Sequence, residues 1–388
     1  MTPDTDVTTT SLSTSAKASI AAAILLVAMV GVGLSLTVPL LSLEMERMGI
    51  SGTMIGFNTA IAGVAAIATV PFVPRLAAGI GIGRMLALAI ITTALSFIAF
   101  KLVFDFRAWF VIRFVFSAAL GALFVLSEYW IATTAPAARR GLVMGIYATV
   151  LALGFATGPL ILAFVGTSGW PPYLAGAALY ALAGLPLLAA RRHLPDLTHA
   201  PGHSILRYIR LLPLATAAGI VFGAVESGAF AFLPVYGVRN GFSAETAAIF
   251  LTVTALGNIL LQIPLGLLAD RFSKSKLILI IAAFGIIGAL LLPPARDLGL
   301  EWFYAVLLIW GGVVGGLYTI GLALLASRFT GPDLAGANAA FVLLYNIGLA
   351  AGPPYLGIAI DALPTWGLSL AFSSLFLLVL MGGFARKA

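Results

Sequence analysis

Three charged side chains stand inside long apolar segments of this chain, where water is scarce. They are Glu226, Arg113 and Glu128. A carboxyl group removed from water favours its neutral, protonated form unless a partner stabilises the charge. A deep carboxyl group can therefore take up a proton at one side of a membrane and release it at the other. Glu226 is the first candidate for this proton-carrying chemistry, because about 20 Å of helix separates it from the start of its segment.

The other two charges allow more than one interpretation. Arg113 should face a cavity, a carboxylate or a backbone carbonyl, or else extend its side chain to water from near the end of its segment. Glu128 lies about 22 Å further along the same helix, so these two residues cannot pair directly. We expect Glu128 to bind Arg139 or Arg140, or to contribute to an inner gate. For Glu226 the structural alternative is a hydrogen-bonded acid that stabilises helix contacts.

The composition excludes a soluble globular protein and several classes of chemistry. Hydrophobic residues make up 61% of the 388 positions and charged residues only 9%, so most of the surface must face lipid. No cysteine is present, which excludes disulfides and thiolate sites. The three histidines, His193, His199 and His203, share one polar stretch, where solvated linker residues are favoured over a metal site. No nucleotide-binding, hydrolase or zinc-protease motif occurs, so we predict neither an enzyme nor a cofactor.

Twelve apolar segments are long enough to cross a membrane as helices. Most of the 21 lysines and arginines fall in alternate loops, which places both termini in the cytoplasm by the positive-inside rule. We expect a disordered tail over 1–16, two six-helix halves over 17–190 and 212–388, and a cytoplasmic linker over 191–211. The predicted spans are 18–43, 52–73, 84–104, 109–132, 141–165, 171–190, 212–236, 245–268, 277–294, 302–327, 335–360 and 366–384.

One short phrase occurs twice, half a chain length apart. It reads LGFATGP over 153–159 and IGLAAGP over 347–353. This repetition predicts a duplicated bundle of membrane helices, as in many secondary transporters. Two glycines four positions apart allow close helix packing, and the proline can bend the helix. Helix packing alone would also explain the repeated motif. If the motif takes part in gating, the candidate residues are Gly154, Gly158, Pro159, Gly348, Gly352 and Pro353.

The loop after the eighth predicted span carries Gly266, Asp270 and Arg271, followed by a basic cluster. It resembles the cytoplasmic signature of the major facilitator superfamily, and Arg113 with its small neighbours is similar to that family's membrane-embedded arginine. The glycine–proline phrase resembles the family's antiporter motif. The resemblance covers nearly the whole chain, although the first half has Ala77 in the place of Asp270.

This resemblance implies an all-α integral membrane protein with twelve transmembrane helices in two pseudo-symmetric six-helix bundles, which work by alternating access. It also implies that Asp270 and Arg271 latch the halves in one state, and that Arg113 modulates proton transfer or binds an anionic group. Polar and aromatic side chains at helical spacing outline the expected substrate cavity, although each alone is more simply a packing or hydrogen-bonding group. They are Asn58, Tyr147, Phe230, Asn258, Gln262, Tyr318, Phe341, Tyr345 and Asn346.

We therefore predict a proton-driven exporter of a small amphipathic or drug-like compound in a bacterial inner membrane. One alternative is a proton symporter that imports a small metabolite whose carboxylate binds Arg113. Another is a membrane sensor or assembly partner that transports nothing. The expected partners are the substrate, protons and lipid, without nucleic acid, and the expected oligomeric state is a monomer.

Overall fold

The computed structural model describes residues 14–136, 140–190, 194–195, 211 and 213–384, and within them the chain forms helices and no β-strand. The predicted linker with its three histidines lies almost wholly outside the described residues, as does Arg139. The helices are α1 Thr14–Arg47, α2 Gly52–Thr69, α3 Val73–Ile80, α4 Ile82–Leu102, α5 Phe106–Thr134, α6 Arg140–Val165, α7 Pro171–Ala190, α8 Pro213–Arg239, α9 Ala244–Arg271, α10 Lys274–Leu290, α11 Leu292–Leu298, α12 Leu300–Ala326, α13 Gly331–Ala362 and α14 Gly367–Phe384.

The all-α membrane class predicted from the sequence is confirmed. Among the described residues, ten segments are long and apolar enough to cross a membrane, with α2 and α3 forming one of them. α10 and α11 add an eleventh if this pair, bent by 44°, is one span. Residues Gly367–Gly383 form a shorter apolar helix at the position of the twelfth predicted span. α1 begins at Thr14, so the helix includes the last residues of the predicted tail.

The repeated glycine–proline phrase packs the same pair of helices in each half. α6 lies against α1, and α13 lies against α8. A Cβ atom at Gly158 would stand 2.6 Å from the backbone nitrogen of Leu36, and one at Gly348 would stand 2.9 Å from that of Ala224. Side chains at these positions would push the helices apart, so the phrase provides close backbone approach within each half.

Among the described residues, the two halves meet mainly where α2 packs on α13, α6 on α9, and α1 on α8, with a smaller contact between α2 and α8. Small residues again allow the approach, because a Cβ atom at Gly63 would lie 2.6 Å from the backbone nitrogen of Ala350. Between α9 and α6, the Thr252 hydroxyl donates to the Ala156 carbonyl at 3.1 Å. The interface therefore combines tight backbone packing with hydrogen bonds between helices of the two halves.

Candidate functional site

Glu226 lines a cavity between the two halves. The cavity contains about 690 Å³ of empty space, its opening included, and is walled by α6 of the first half and by α8, α9 and α12 of the second. Glu226 is the only ionisable side chain among the residues that line it. These residues are Ala152, Phe155, Phe222, Val225, Glu226, Ala229, Phe230, Leu251, Thr254, Ala255, Asn258, Ile259, Trp310, Gly311, Val314 and Gly315.

The Glu226 carboxyl group is held by a tyrosine from a neighbouring helix. The Tyr345 hydroxyl of α13 donates to Oε2 of Glu226 at 2.5 Å. The Tyr345 ring stacks on Phe222 with centroids 6.1 Å apart, and its centroid is 5.6 Å from that of Tyr318. Tyr345 and the rings packed on it thus fix the Glu226 carboxyl group at the cavity wall. Among the described residues, this carboxyl group has no ion-pair partner.

Glu128 forms a similar acid–tyrosine pair in the first half. The Tyr147 hydroxyl of α6 donates to Oε1 of Glu128 on α5. Tyr147 is buried and Glu128 is partly buried. Arg139 and the side chain of Arg140, the basic partners expected for Glu128, lie outside the described residues. Each half therefore carries one carboxyl group that is hydrogen-bonded to a tyrosine of an adjacent helix.

Arg113 is sealed inside the first half and does not reach water. Its side chain is 1% exposed, and its Nη1 atom donates to Oδ1 of Asn58 at 2.6 Å and to Oγ1 of Thr59 at 3.4 Å. The interpretation in which Arg113 extends to water therefore does not apply in this conformation. Asn58, which the sequence suggested as a cavity residue, instead holds Arg113, and neither residue lines the cavity.

The remaining predicted cavity residues divide between the wall and the layer behind it. Phe230 lies on the wall, 5.8 Å from Phe155 of the other half between ring centroids. Behind Asn258, the amide of Gln262 donates to Asn258 Oδ1 at 2.5 Å and accepts from the Thr319 hydroxyl at 2.7 Å. Two others form contacts within the second half, since Phe341 packs on Tyr318 and Asn346 donates to the Val342 carbonyl.

One end of the bundle, which we call the Arg239 end, is closed by charges from both halves. Arg239 at the end of α8 binds Glu46 at the end of α1 in bidentate fashion, with Nε–Oε1 at 2.8 Å and Nη2–Oε2 at 2.9 Å. Its Nη1 atom lies 3.2 Å from Oδ1 of Asp361. Asp361 in turn accepts from the backbone nitrogens of Gly52 and Thr53 at 2.8 and 2.7 Å, which caps the start of α2.

A second polar contact bridges the halves at the same end. Arg47 donates to the Thr167 carbonyl at 2.5 Å, and the Thr167 hydroxyl donates to Glu245 of the second half at 3.2 Å. Sequence reasoning missed this closure, because charged residues at helix ends are ordinary and the sequence contains no signal that pairs Glu46 with Arg239.

The family model for the Major Facilitator Superfamily matches residues 23–353 and 241–386. This chain belongs to the major facilitator superfamily. Members of this superfamily are secondary transporters and not enzymes. The chain is therefore an integral membrane transporter, and a small-molecule substrate follows from the family.

Bacterial relatives support the same assignment. The chain is 23% identical over 358 residues to the uncharacterised MFS-type transporter YfkF of Bacillus subtilis, covering 89% of this chain and 90% of the relative. It is 26% identical over 311 residues to an uncharacterised MFS-type transporter of Yersinia enterocolitica, covering 78% of this chain and 75% of the relative.

Solved transporters of low sequence identity share the fold. A variant of the nucleoside transporter NupG superposes with a TM-score of 0.78 at 15% identity, covering 95% of this chain and all of that one. A D-xylose–proton symporter gives 0.77 at 15% identity, with 95% and 97% covered. An inward-facing bacterial homologue of the lysosomal transporter Spinster gives 0.76 at 14% identity, with 96% of each chain covered.

The loop that resembles the superfamily signature lies at the opposite end of this transporter, which we call the Asp270 end. Asp270 and Arg271 are exposed and form no ion pair among the described residues. A Cβ atom at Gly266 would meet nothing within 4 Å, so close helix approach is not made there. In this conformation the Arg239 end is closed across the halves, and the described charges of the signature are not engaged.

Proposed function

We propose that this protein is a proton-coupled exporter of small amphipathic compounds, with both termini in the cytoplasm. The observation that carries the proposal is the Glu226–Tyr345 pair on the wall of a largely apolar cavity between the halves. A solitary carboxyl group in such a cavity can be satisfied by a proton or by a bound solute, but not readily by both. Competition between proton and solute for one group is the physical basis of antiport.

The cavity wall supports an amphipathic solute rather than a sugar. Its aromatic side chains include Phe155 and Phe230 from opposite halves, and its fixed hydrogen-bonding groups are few. Sugars require many donors and acceptors, whereas aromatic faces and one carboxylate suit an apolar solute with a polar or positively charged group.

Proton-coupled import of an anionic metabolite finds less support in the site. Such a substrate would need a cationic partner, and Arg113 is buried on the Asn58 amide instead of facing the cavity. The basic loops support an orientation in which the Asp270 end faces the cytoplasm. With the Arg239 end closed, the cavity would then exchange with the cytoplasm.

Reconstituted vesicles with an imposed pH gradient test this function. A panel of amphipathic fluorescent dyes, ethidium included, is loaded, and dye and proton movements are recorded together. Export requires dye and protons to move in opposite directions, whereas movement in the same direction would establish import. Movement of neither across the panel would favour a sensor.

The role of Glu226 is tested by comparing two acid variants. Glu226→Gln should abolish coupled proton movement while leaving the protein folded. Glu301→Gln is the matched control, because Glu301 is exposed at the start of α12, away from the cavity. Proton coupling that persists in Glu226→Gln would overturn the assignment.

A further inference from the structure

Two acid–tyrosine pairs, one in each half, lie on either side of a third tyrosine. We propose that Glu128 is a second protonation site, and that the hydroxyls of Tyr345, Tyr318 and Tyr147 connect it to Glu226 across the two halves. This inference rests on the proposed proton coupling and adds the route by which the proton leaves the cavity.

The contacts of Tyr318 place it at the junction of the two pairs. On one side, its ring centroid is 5.6 Å from that of Tyr345, which donates to Glu226. On the other side, Tyr318 is within electrostatic range of Glu128 and of Tyr147, the donor to Glu128, without a direct hydrogen bond or ring contact to either in the described structure. Its hydroxyl forms no hydrogen bond to another described residue, which leaves it available to water.

The two carboxyl groups and three tyrosines lie at decreasing depth from the middle of the bundle toward the Asp270 end. Counted along their helices from that end, Glu226 and Tyr345 lie about 20 Å deep. Glu128, Tyr147 and Tyr318 lie about 9 to 12 Å deep by the same count. The series therefore leads from the cavity toward the end that is not closed by cross-half charges.

Ionisable neighbours of the two carboxyl groups are almost entirely tyrosines. Tyr345 and Tyr318 face Glu226, while Tyr147 and Tyr318 face Glu128. No lysine or arginine of the described structure forms an ion pair with either carboxyl group. Each acid can consequently exchange its proton without first breaking a salt bridge.

The proposed transfer is balanced at every group. Glu226 gives up one proton, each phenolic oxygen accepts one proton as it releases another, and Glu128 gains one. Water molecules carry the proton where two hydroxyls are not in direct contact. No group is oxidised or reduced, and the net result is one proton moved from the second half to the first.

Alternating access would make and break this route. Glu128 and Tyr147 belong to the first half, whereas Tyr318, Tyr345 and Glu226 belong to the second. When the halves rock so that the Asp270 end closes, the spacing between Tyr318 and Tyr147 must change with them. Closure of the Asp270 end would also shut these groups off from water at that end, so proton release toward it requires a conformation in which the end is open.

Infrared difference spectra after a pH jump test the second site without any substrate. Purified protein in lipid nanodiscs should show two protonated-carboxyl bands that titrate, one lost in Glu226→Gln and the other in Glu128→Gln. Loss of either acid should shift the midpoint of the remaining band, and Tyr318→Phe should remove that mutual dependence. A Glu128 band that does not titrate, or two bands that titrate independently, would overturn the inference.

A transport measurement separates a proton route from a structural role. With ethidium or another transported dye of the panel, Tyr318→Phe should slow pH-driven transport at least tenfold and leave dye-for-dye exchange within twofold. Tyr304→Phe on the same helix is the control, since Tyr304 packs on Phe250 away from both acids. Equal loss of both activities, or loss of neither, would count against the route.

The two proposals can fail separately. If Glu226→Gln keeps its proton coupling, the proposed function itself is wrong. If Glu226→Gln loses coupling while Glu128→Gln and Tyr318→Phe behave as the unmodified protein in both measurements, only the route is wrong. Both glutamine variants keep the size of the side chain, and thermal unfolding of each establishes that it is folded.

Discussion

Removing the charge of Arg239 should open the Arg239 end of the transporter. In Arg239→Gln, the bidentate pair with Glu46 of the first half is lost, and so is the contact with Asp361, which belongs to the same half as Arg239. Only the pair with Glu46 joins the halves directly. Exposed ion pairs contribute about 0–1 kcal/mol, and a bidentate arginine–carboxylate pair contributes more. The Arg239 and Glu46 side chains are 20% and 19% exposed, so water still screens them. We therefore expect a loss of about 1 to 2 kcal/mol.

That free energy corresponds to about a 5- to 30-fold shift of the conformational equilibrium toward opening at the Arg239 end. Spin labels measure it directly, because the chain contains no cysteine that would have to be removed. Leu102 and Leu298 are 67% and 71% exposed at this end, one in each half. Leu102→Cys and Leu298→Cys together provide the two label sites, and pulsed electron resonance measures the distance between the labels. When Arg239→Gln is added, the population with the long distance should grow by this factor, provided that it starts as a minor fraction.

Arg296→Gln is the matched control for this measurement. Arg296 lies at the same end, but its partners Asp297 and Asn240 belong to its own half. Its replacement should leave the distance distribution unchanged. Identical distributions in Arg239→Gln and Arg296→Gln would refute the reasoning. In a double-mutant cycle, adding Glu46→Gln to Arg239→Gln should shift the equilibrium by less than the sum of the two single effects.

Three further predictions concern packing, the buried arginine and the signature loop. Gly158→Ala should lower the free energy of unfolding by about 1–3 kcal/mol, because the added Cβ meets α1. Gly184→Ala is the control and should leave that free energy unchanged, because its Cβ would meet nothing within 4 Å. Equal thermal unfolding of the two variants would contradict the packing role of Gly158. Asn58→Leu should cost about 1.5–3 kcal/mol by removing the acceptor of Arg113, measured by thermal unfolding in detergent, and an unchanged midpoint would argue against that bond. Asp270→Asn should leave thermal stability unchanged, since Asp270 is exposed and forms no ion pair in the described structure. If Asp270 latches the halves when the Arg239 end is open, the same change should reduce the long-distance population in the spin-label measurement. An unchanged population would contradict the latch role.

Several features of the site could be foreseen because they depend on local sequence. Glu226 was singled out by its depth in an apolar segment, where an unpartnered carboxyl group is costly, and the structure places it on the cavity wall. Asn258 and Gln262 were expected on one helix face from their spacing, and they are hydrogen-bonded to each other. Their place relative to the cavity differs, however, because only Asn258 lies on its wall.

Partners on other helices could not be foreseen. Tyr345 is 119 positions from Glu226, and Glu46 is 193 positions from Arg239. Each contact depends on the rotation, tilt and register of two helices. Asn58 shows the consequence, since its polar character suggested a cavity residue while the rotation of α2 turns it toward Arg113.

The sequence by itself determined the membrane class, indicated the duplicated halves, and showed which charged groups lie inside apolar segments. Hydropathy and repetition can be read along one dimension, because lipid requires long apolar helices wherever the chain crosses it. Only the tertiary structure decided that each acid is bound to a tyrosine, that Arg113 is sealed by Asn58 and that one end is closed by Arg239. Lipid is as apolar as the side chains between the helices, so side-chain packing and hydrogen bonds between helices, rather than hydropathy, select which faces meet.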